Sequence, residues 1–491
     1  AKAGIIHTLD LSLSEGHSYL PKSQLIEKAR LLLGVDSETL ENAFKALLLS
    51  HDLIMEDERA YLAQMARVEN SVASRIKDLQ VSPTILPKIN SHAAIQWVEA
   101  RSTLRLSEGQ KLAIKMATSS KILIITGGPG TGKTTLLKSL ITIFDAKKIQ
   151  TVLAAPTGRA AKRLAESTGK TAKTVHRLLE YSPIEGGFQR NPGNPLEADV
   201  VIIDEASMLD VLLTNSLLGA MAFTSSLILV GDADQLPSVG PGNVLRDLIE
   251  SEQVPVIRLD TIFRQARESD IVVNAHRVNE GKLPIKNPVE NKLSDFYLIE
   301  KEDPDDIVRV IKELISNRIP NRFKFNPVDE IQILTPMNRG QVGTERLNNE
   351  IRELVNPTGK SIKGDRFRVG DRVMQVRNNY EKEVFNGDIG CITSFDENWD
   401  EILIEFDSRK LTYHVNELDE LTLAYAVTIH KSQGSEYPCV VVPLSTQHYV
   451  MLKRNLLYTA ITRGRKLVVL VANPKAMRSE EHTSELQSPN T

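Results

Sequence analysis

At 491 residues the chain is long enough for about three domains, and its composition, 41% hydrophobic and 25% charged, is that of an ordinary folded protein. It has no run of about 18 apolar residues, so no membrane-spanning helix is expected. With 60 Lys and Arg against 63 Asp and Glu, the net charge of −3 gives no general nucleic-acid signal; any polyanion has to be met by a local channel.

Residues 1–80 are helical in pattern with a strand-like patch. Leu25-Ile26 and Leu31-Leu32-Leu33 share one apolar face, and Leu40, Phe44 and Leu47–Leu49 make another. His51–Leu62 is similar to the β-hairpin of a winged helix, an element that either binds DNA or packs against a neighbour; packing is the reading preferred here. Val81-Ser82-Pro83 to Pro87 breaks the helical pattern, so 81–100 is assigned as a linker. Ser107 is placed to N-cap an apolar helix that ends near Thr118. Gln110 in that helix has an amide able both to donate to and to accept from adenine; alone it would be read as an exposed polar residue.

The decisive stretch is Ile122–Thr135. Ile122-Leu123-Ile124-Ile125-Thr126 reads as a buried strand, and Gly127-Gly128-Pro129-Gly130-Thr131-Gly132-Lys133-Thr134-Thr135 fits a phosphate-binding loop that opens a helix. Its glycines let backbone N–H groups face a phosphate, and the helix start adds roughly half a positive charge. Lys133 is positioned to reach the terminal phosphates, and the Thr134 hydroxyl to ligate Mg²⁺.

A second buried strand, Thr151–Ala155, runs into Pro156-Thr157-Gly158-Arg159. In an open parallel sheet the loops after strand C-termini form the ligand face, so Pro156, Thr157 and Arg159 are candidates to meet a phosphate backbone. Lys162 and Arg163 read as a solvated basic face. Thr174 and His176 offer further donors on the same side, although Thr174 also reads as a helix cap. Gly186–Asn194 is turn chemistry, either a surface loop or a projecting hairpin.

Val200-Val201-Ile202-Ile203 ends in Asp204 and Glu205. Asp204 is the expected Mg²⁺ ligand, and Glu205 the residue that orients and activates the attacking water. Ser226–Gly231 is a third strand; beyond it Asp232 supports the turn or the metal shell, Gln235 is placed to sense the γ-phosphate, and Val239 continues toward the nucleic-acid face. A further lobe begins near Val256. It carries Arg264, a candidate arginine finger or a plain surface arginine, and then the strand-loop Ile331–Gly340 with Thr335, Pro336 and Asn338 as DNA-contact candidates. Residues 363–418 change to alternating strands with a hairpin signal at Asn386-Gly387-Asp388 and are read as a small β-barrel. Thr428, Ser432 and Gln433 are donors for phosphate or sugar, Glu436 an acceptor for a ribose hydroxyl, and Arg463 a second arginine-finger candidate. Cys391 and Cys439 lie far apart in strand-like runs without zinc-ligand spacing and read as reduced core residues, which points to the cytoplasm. Residues 478–491 have no apolar period and resemble the in-frame translation of a sequencing adapter; they are assigned no function, and with Ala1 at the start a truncated chain is expected.

Taken in order, Gly127–Thr134, Ala155–Ala161, Asp204–Met208, Gly231–Gly240, Phe263–Ala266, Thr428–Glu436 and Tyr458–Arg463 resemble the motifs of superfamily 1 helicases of the RecD-like branch, over roughly residues 100–475. The resemblance implies an α/β architecture. It places one RecA-like lobe with a parallel sheet at 101–255 and a second at 256–362 plus 419–477, with an SH3-like β-barrel insertion at 363–418 and a helical N-terminal domain. It makes 183–196 similar to the family's strand-separating pin, Gln110 an adenine contact, and Arg264 and Arg463 γ-phosphate contacts. It also implies ATP and Mg²⁺ as cofactors, single-stranded DNA and DNA forks as partners, 5′→3′ movement and a monomer. With aromatics at only 5%, phosphate contacts are expected to outweigh base stacking. The rival readings are an RNA helicase of the same superfamily, the helicase lobe of a conjugative relaxase, and an ATP-dependent DNA-binding module that does not unwind.

Overall fold

The computed structural model describes residues 1–101, 105–182, 184–263, 268–285, 293–379, 381–407, 409–449 and 451–483. Contacts divide the chain into two units. One comprises Ala1–Gly127, Thr131–Ala233 and Pro237–Thr261; the other comprises Gly128–Gly130, Asp234–Leu236 and Ile262–Thr491.

The first unit is built on a six-stranded parallel sheet, in the order Val256–Arg258, Ile122–Thr126, Ser226–Gly231, Val200–Ile203, Thr151–Ala155, Ala172–Thr174. Its three central strands are buried along their whole length, which is why they read as continuous apolar runs rather than alternations. Alternate residues feed opposite layers. Leu123, Ile125, Ile202 and Val230 pack on the phosphate-loop helix Lys133–Ala146 through Leu136, Leu140 and Phe144. Ile122, Ile124, Val201 and Leu229 face the other way, against Leu213 and Leu217. Burying each such side chain stabilises the fold by about 1.5–3 kcal/mol.

The N-terminal region forms helices Lys2–Ser14, Lys22–Leu33, Ser37–Leu49 and Ala63–Val81, with a three-stranded antiparallel sheet of Leu20–Pro21, Arg59–Leu62 and Leu53–Glu56. This is the winged-helix pattern. Its core is Ile5, Leu9, Leu25, Leu40, Phe44 and Leu53. Leu31–Leu33 do not share a face with Leu25-Ile26 as expected, nor Leu49 with Leu40 and Phe44: Leu31 is 70% and Leu49 82% exposed, while helix Lys22–Leu33 turns Leu25, Ile26 and Ala29 inward. The last helix is shared with the lobe. Its Val72, Ile76 and Leu79 complete the layer of Leu213 and Leu217, and Met65 joins Val211 and Val244. The stretch 81–100 is only half a linker, since Ser91–Glu99 is a helix, N-capped by Asn90, whose Val98 enters the core.

The second unit has a five-stranded parallel sheet in the order Phe296–Glu300, Gly464–Ala472, Tyr437–Leu444, Ile331–Thr335, Ala426–Thr428. Helices Asp270–Asn279 and Arg454–Thr462 cover one face and Pro304–Glu313 and Thr344–Val355 the other. Between its strands a five-stranded antiparallel sheet is inserted, in the order Arg409–His414, Glu401–Phe406, Ile389–Asp396, Arg372–Gln375, Leu421–Leu423. Glu401–Phe406 alternates strictly between inward and outward residues, the mark of a sheet with one wet face. The insertion runs past residue 418, because Leu421–Leu423 pairs with Arg372–Gln375. Asn348 fixes the exit: its amide donates to Leu423 O and Ala426 O and accepts from Ala426 N, at 3.2, 2.9 and 2.8 Å. Among the described residues no helix is long and apolar enough to cross a membrane. The terminal helix Pro474–Thr483 extends into the segment for which no element is expected.

Because Ile76 belongs to the sheet-covering layer, Ile76→Ala is expected to destabilise the first unit by about 2–4 kcal/mol, measured by urea unfolding. A loss within about 0.5 kcal/mol, the size of an ordinary surface change, would mean that the helix is not part of the lobe's core.

Candidate nucleotide and nucleic-acid site

The register of the first sheet aligns the chemistry. Thr126 pairs with Gly231, and Leu229 with Ile203, so three neighbouring strands deliver the phosphate loop, the Asp232–Gln235 turn and the Asp204–Glu205 pair from their C-terminal ends. The Thr126 hydroxyl accepts from Ala233 N at 3.1 Å, and Gly127 N donates to Gly231 O at 3.3 Å, which ties the first two together. Gly127 has no room for a side chain: a Cβ would lie 2.8 Å from both Leu259 O and Thr131 Oγ1. Gly132, at φ +80°, takes the left-handed turn that starts helix Lys133–Ala146.

Lys133 folds back so that its ammonium donates to the Gly127 carbonyl, across the loop that would hold a phosphate. Gly128, Pro129, Gly132 and Thr135 are half-buried, Thr131 is buried, and Gly130 and Thr134 are exposed. Thr134 therefore offers its hydroxyl outward at the helix start.

Asp204 and Glu205 stand at the end of a strand with no other polar side chain. Loss of water around Asp204, and then the neighbouring Glu205 charge, push the Asp204 carboxyl up to about 6. Glu205 N donates to Asp204 Oδ1 at 3.0 Å, and Glu205 itself sits at φ +52°, ψ +40°, a backbone region that side-chain-bearing residues rarely enter. Arg163, with its side chain 39% exposed, also lies 3.9 Å from Glu205 Oε1, so it adds a charge contact to this cluster.

The remaining candidates divide. Gln110 is fully buried. Its Oε1 accepts from Ser107 N at 2.9 Å and its Nε2 donates to Gly132 O at 3.0 Å, so the amide braces the phosphate loop and is not turned out to adenine. Thr157 N-caps helix Gly158–Thr168, with Pro156 and Arg159 half-buried beside it. Thr174 is a buried cap for Arg177 N, the plainer of its two readings. The His176 ring packs on Phe188 and Tyr181 at centroid distances of 5.6 and 6.0 Å, and its burial lowers its pKa, so it is a neutral aromatic neighbour more than a cationic grip. Val239 is 63% exposed.

The 183–196 segment is two turns. Tyr181–Ser182 pairs with Gly187–Phe188, and a second turn closes at Asn191 and Asn194. The projecting tip is therefore around Ile184, 98% exposed, rather than at 186–194; Pro183 lies outside the described residues.

In the second unit Thr335, Ser432 and Gln433 are turned inward. Thr335 Oγ1 donates to Val342 O at 2.7 Å, Ser432 Oγ to Ile429 O at 2.7 Å, and Gln433 Nε2 to Leu236 O at 2.8 Å. Pro336 is buried as well, and Thr428 is nearly so, with its hydroxyl accepting from Lys431 N at 3.3 Å. Of the DNA-contact candidates in this unit, Asn338 alone is exposed. Glu436 is half-buried, 3.7 Å from Arg465 Nε. Arg463 is buried; it donates to Ser435 O at 3.2 Å and to Gln235 Oε1 at 2.7 Å, so two of the predicted catalytic side chains meet directly. Arg264 lies outside the described residues.

Known proteins are similar to this chain in sequence. Residues 110–241 match a model of the AAA domain, 347–406 a model of the ATP-dependent RecD-like DNA helicase SH3 domain, and 423–471 a model of the UvrD-like helicase C-terminal domain. The chain is 30% identical to the RecBCD enzyme subunit RecD of Mycolicibacterium smegmatis over 405 residues, 76% of this chain and 72% of that one. The chain belongs to the RecD-like family. It is also 34% identical over 479 residues to the ATP-dependent RecD2 DNA helicase of Deinococcus radiodurans, covering 94% of this chain but 64% of that protein's length. Among solved structures, a Pif1 helicase from Bacteroides in complex with ADP-AlF3 and single-stranded DNA aligns at 19% identity and a TM-score of 0.46, over 79% of this RecD-like chain and 99% of its own.

A carboxyl whose pKa rises on folding opposes folding wherever it is ionised. The opposition is absent below its ordinary value near 3.8, grows as pH rises toward about 6, and is complete above that. Asp204→Asn is therefore expected to raise the melting temperature of the nucleotide-free protein by a few degrees at pH 7.5, an advantage that shrinks at pH 4.5. Calorimetry at the two pH values checks it; an equal gain at both would mean that Asp204 is not held against its charge.

Proposed function

We propose that this chain is an ATP-driven DNA helicase, and that its first unit hydrolyses ATP at the Asp204–Glu205 pair. The observation that carries the reading is the strand order: the phosphate-loop strand, the strand leading to Gln235 and the carboxylate strand are consecutive neighbours in one parallel sheet. Lys133 leaves the Gly127 carbonyl to meet the β- and γ-phosphates. The Glu205 carboxylate accepts hydrogen bonds from the attacking water and orients it in line with the γ-phosphate. Arg463 holds Gln235, the residue we assign to sensing the γ-phosphate.

Thr134 and Asp204 suit Mg²⁺. Among the described residues no cluster of three or more His, Cys, Asp or Glu side chains can cage a metal, and Mg²⁺ is usually held by one or two protein oxygens together with phosphates and water. When bound, the ion neutralises charge on the β- and γ-oxygens.

Pro156, Thr157, Arg159 and Val239 in the first unit, and Asn338 in the second, are the residues we assign to single-stranded DNA. The hairpin around Ile184 is assigned as the strand-separating element, with the Tyr181, Phe188 and His176 rings as its foot. The reading takes 5′→3′ movement on DNA forks from the family.

Three outcomes are expected. Glu205→Gln should keep ATP binding and lose about 10²–10⁴-fold in hydrolysis, compared by fluorescent-nucleotide titration and a coupled ATPase assay; near-normal turnover would remove Glu205 from the mechanism. Replacing residues 182–188 with a short Gly-Ser link should abolish fork unwinding while sparing DNA-stimulated ATPase, and unwinding that survives would end the pin assignment. Forks with a 5′ single-stranded tail should be opened in preference to 3′-tailed ones; the opposite preference would defeat the directional reading.

A further inference from the structure

Helix Gly158–Thr168 has chemistry at both ends of its exposed face. Its first turn carries Thr157 and Arg159, assigned above to the DNA backbone, and the next turn carries Arg163, whose guanidinium lies 3.9 Å from Glu205 Oε1. The two arginines are four residues apart and so share a face. Ala160 and Ala161, 2% and 4% exposed, pack on Ala155 at the strand end, so the first turns of the helix lie close to the strand ends. Glu205 is poised to respond. Its backbone is held in the left-handed region, its side chain is 17% exposed, and at 3.9 Å the pairing is a charge contact and not a hydrogen bond. Such a contact adds little stability, but it sets where a carboxylate points.

We propose that Arg163 is a positioning residue that couples DNA at the start of this helix to the Glu205 carboxylate, so that strand binding and hydrolysis are linked within the first unit alone. Arg163 touches neither reactant. A phosphate drawn onto Thr157 and Arg159 shifts the helix, and Arg163 carries the shift to Glu205, turning it onto the water. The proposal rests on the helicase reading above.

The test uses the full chain with Arg163→Ala and Arg163→Lys. ATPase rates are measured with and without saturating oligo(dT), with KM for ATP, oligo(dT) affinity by fluorescence anisotropy, and melting temperature measured in parallel. The expected result for Arg163→Ala is a stimulation factor, the rate with DNA over the rate without, reduced by roughly tenfold in kcat, with KM and DNA affinity within about twofold of the original. Arg163→Lys, which keeps the charge but not the planar fork, should recover a substantial part of the stimulation. An unchanged stimulation factor in Arg163→Ala overturns the proposal and leaves the helicase reading standing. A loss that follows DNA affinity overturns it too, making Arg163 a backbone contact, as does a loss that Lys does not relieve. A wild-type rate that DNA does not change overturns both readings.

Discussion

Everything in the first unit answers to one constraint: two carboxylates held side by side at the end of a strand that is otherwise wholly apolar. Val200–Ile203 is buried on both faces, so its chain direction, neighbours and register are fixed by packing before any polar residue has a say. The sheet then presents Asp204 and Glu205 where burial and the Glu205 charge raise the cost of ionising Asp204. The Glu205 N–H donates to Asp204, and the positive charges of Lys133 and Arg163 stand nearby. Such a cluster is suited to receiving a cation and a polyanion.

The same logic bears on the phosphate loop. Lys133 and Gln110 hold its backbone in shape by donating to the Gly127 and Gly132 carbonyls. Gln110 is itself held by the capping box with Ser107, so the helix cap, the amide and the loop form one brace. A donor that leaves such a brace to meet a ligand exchanges one hydrogen bond for another, so the loop can be preformed and still bind tightly.

This also marks what the sequence can disclose. Strand–glycine–helix junctions are legible because three independent requirements coincide: burial on both faces, a backbone turn that only glycine makes, and an orphan helix start. The two parallel sheets and the inserted antiparallel one follow from that level, and the change from continuous apolar runs to the alternation of Glu401–Phe406 is legible for the same reason. Polar side chains are different. Thr335, Ser432 and Thr174 are hydroxyls in the expected loops, yet each is spent on a backbone group, because a loop that leaves a buried strand must satisfy its own carbonyls and N–H groups first. Residue type and position say that a donor is available; only the path of the backbone says where it points. Arg163 is the converse case, a residue dismissed as solvated because periodicity gives its face but not what stands opposite.

The second unit shows how buried polar groups can also fix geometry without chemistry. Asp371, fully buried, accepts from Asn356 Nδ2 at 2.8 Å, Arg368 N at 2.7 Å and Tyr425 OH at 3.0 Å. Those donors come from the C-cap of helix Thr344–Val355, from the short strand Phe367–Arg368 ahead of the inserted sheet and from the bend just before strand Ala426–Thr428. Burial raises the Asp371 pKa, but the three donors act in the opposite sense and favour its ionised form. An insertion joined by flexible ends would drift relative to the sheet it interrupts. Joined by one carboxylate with three partners, together with Asn348 at its exit, it is held in a single orientation, because any slippage would leave a buried charge with too few donors.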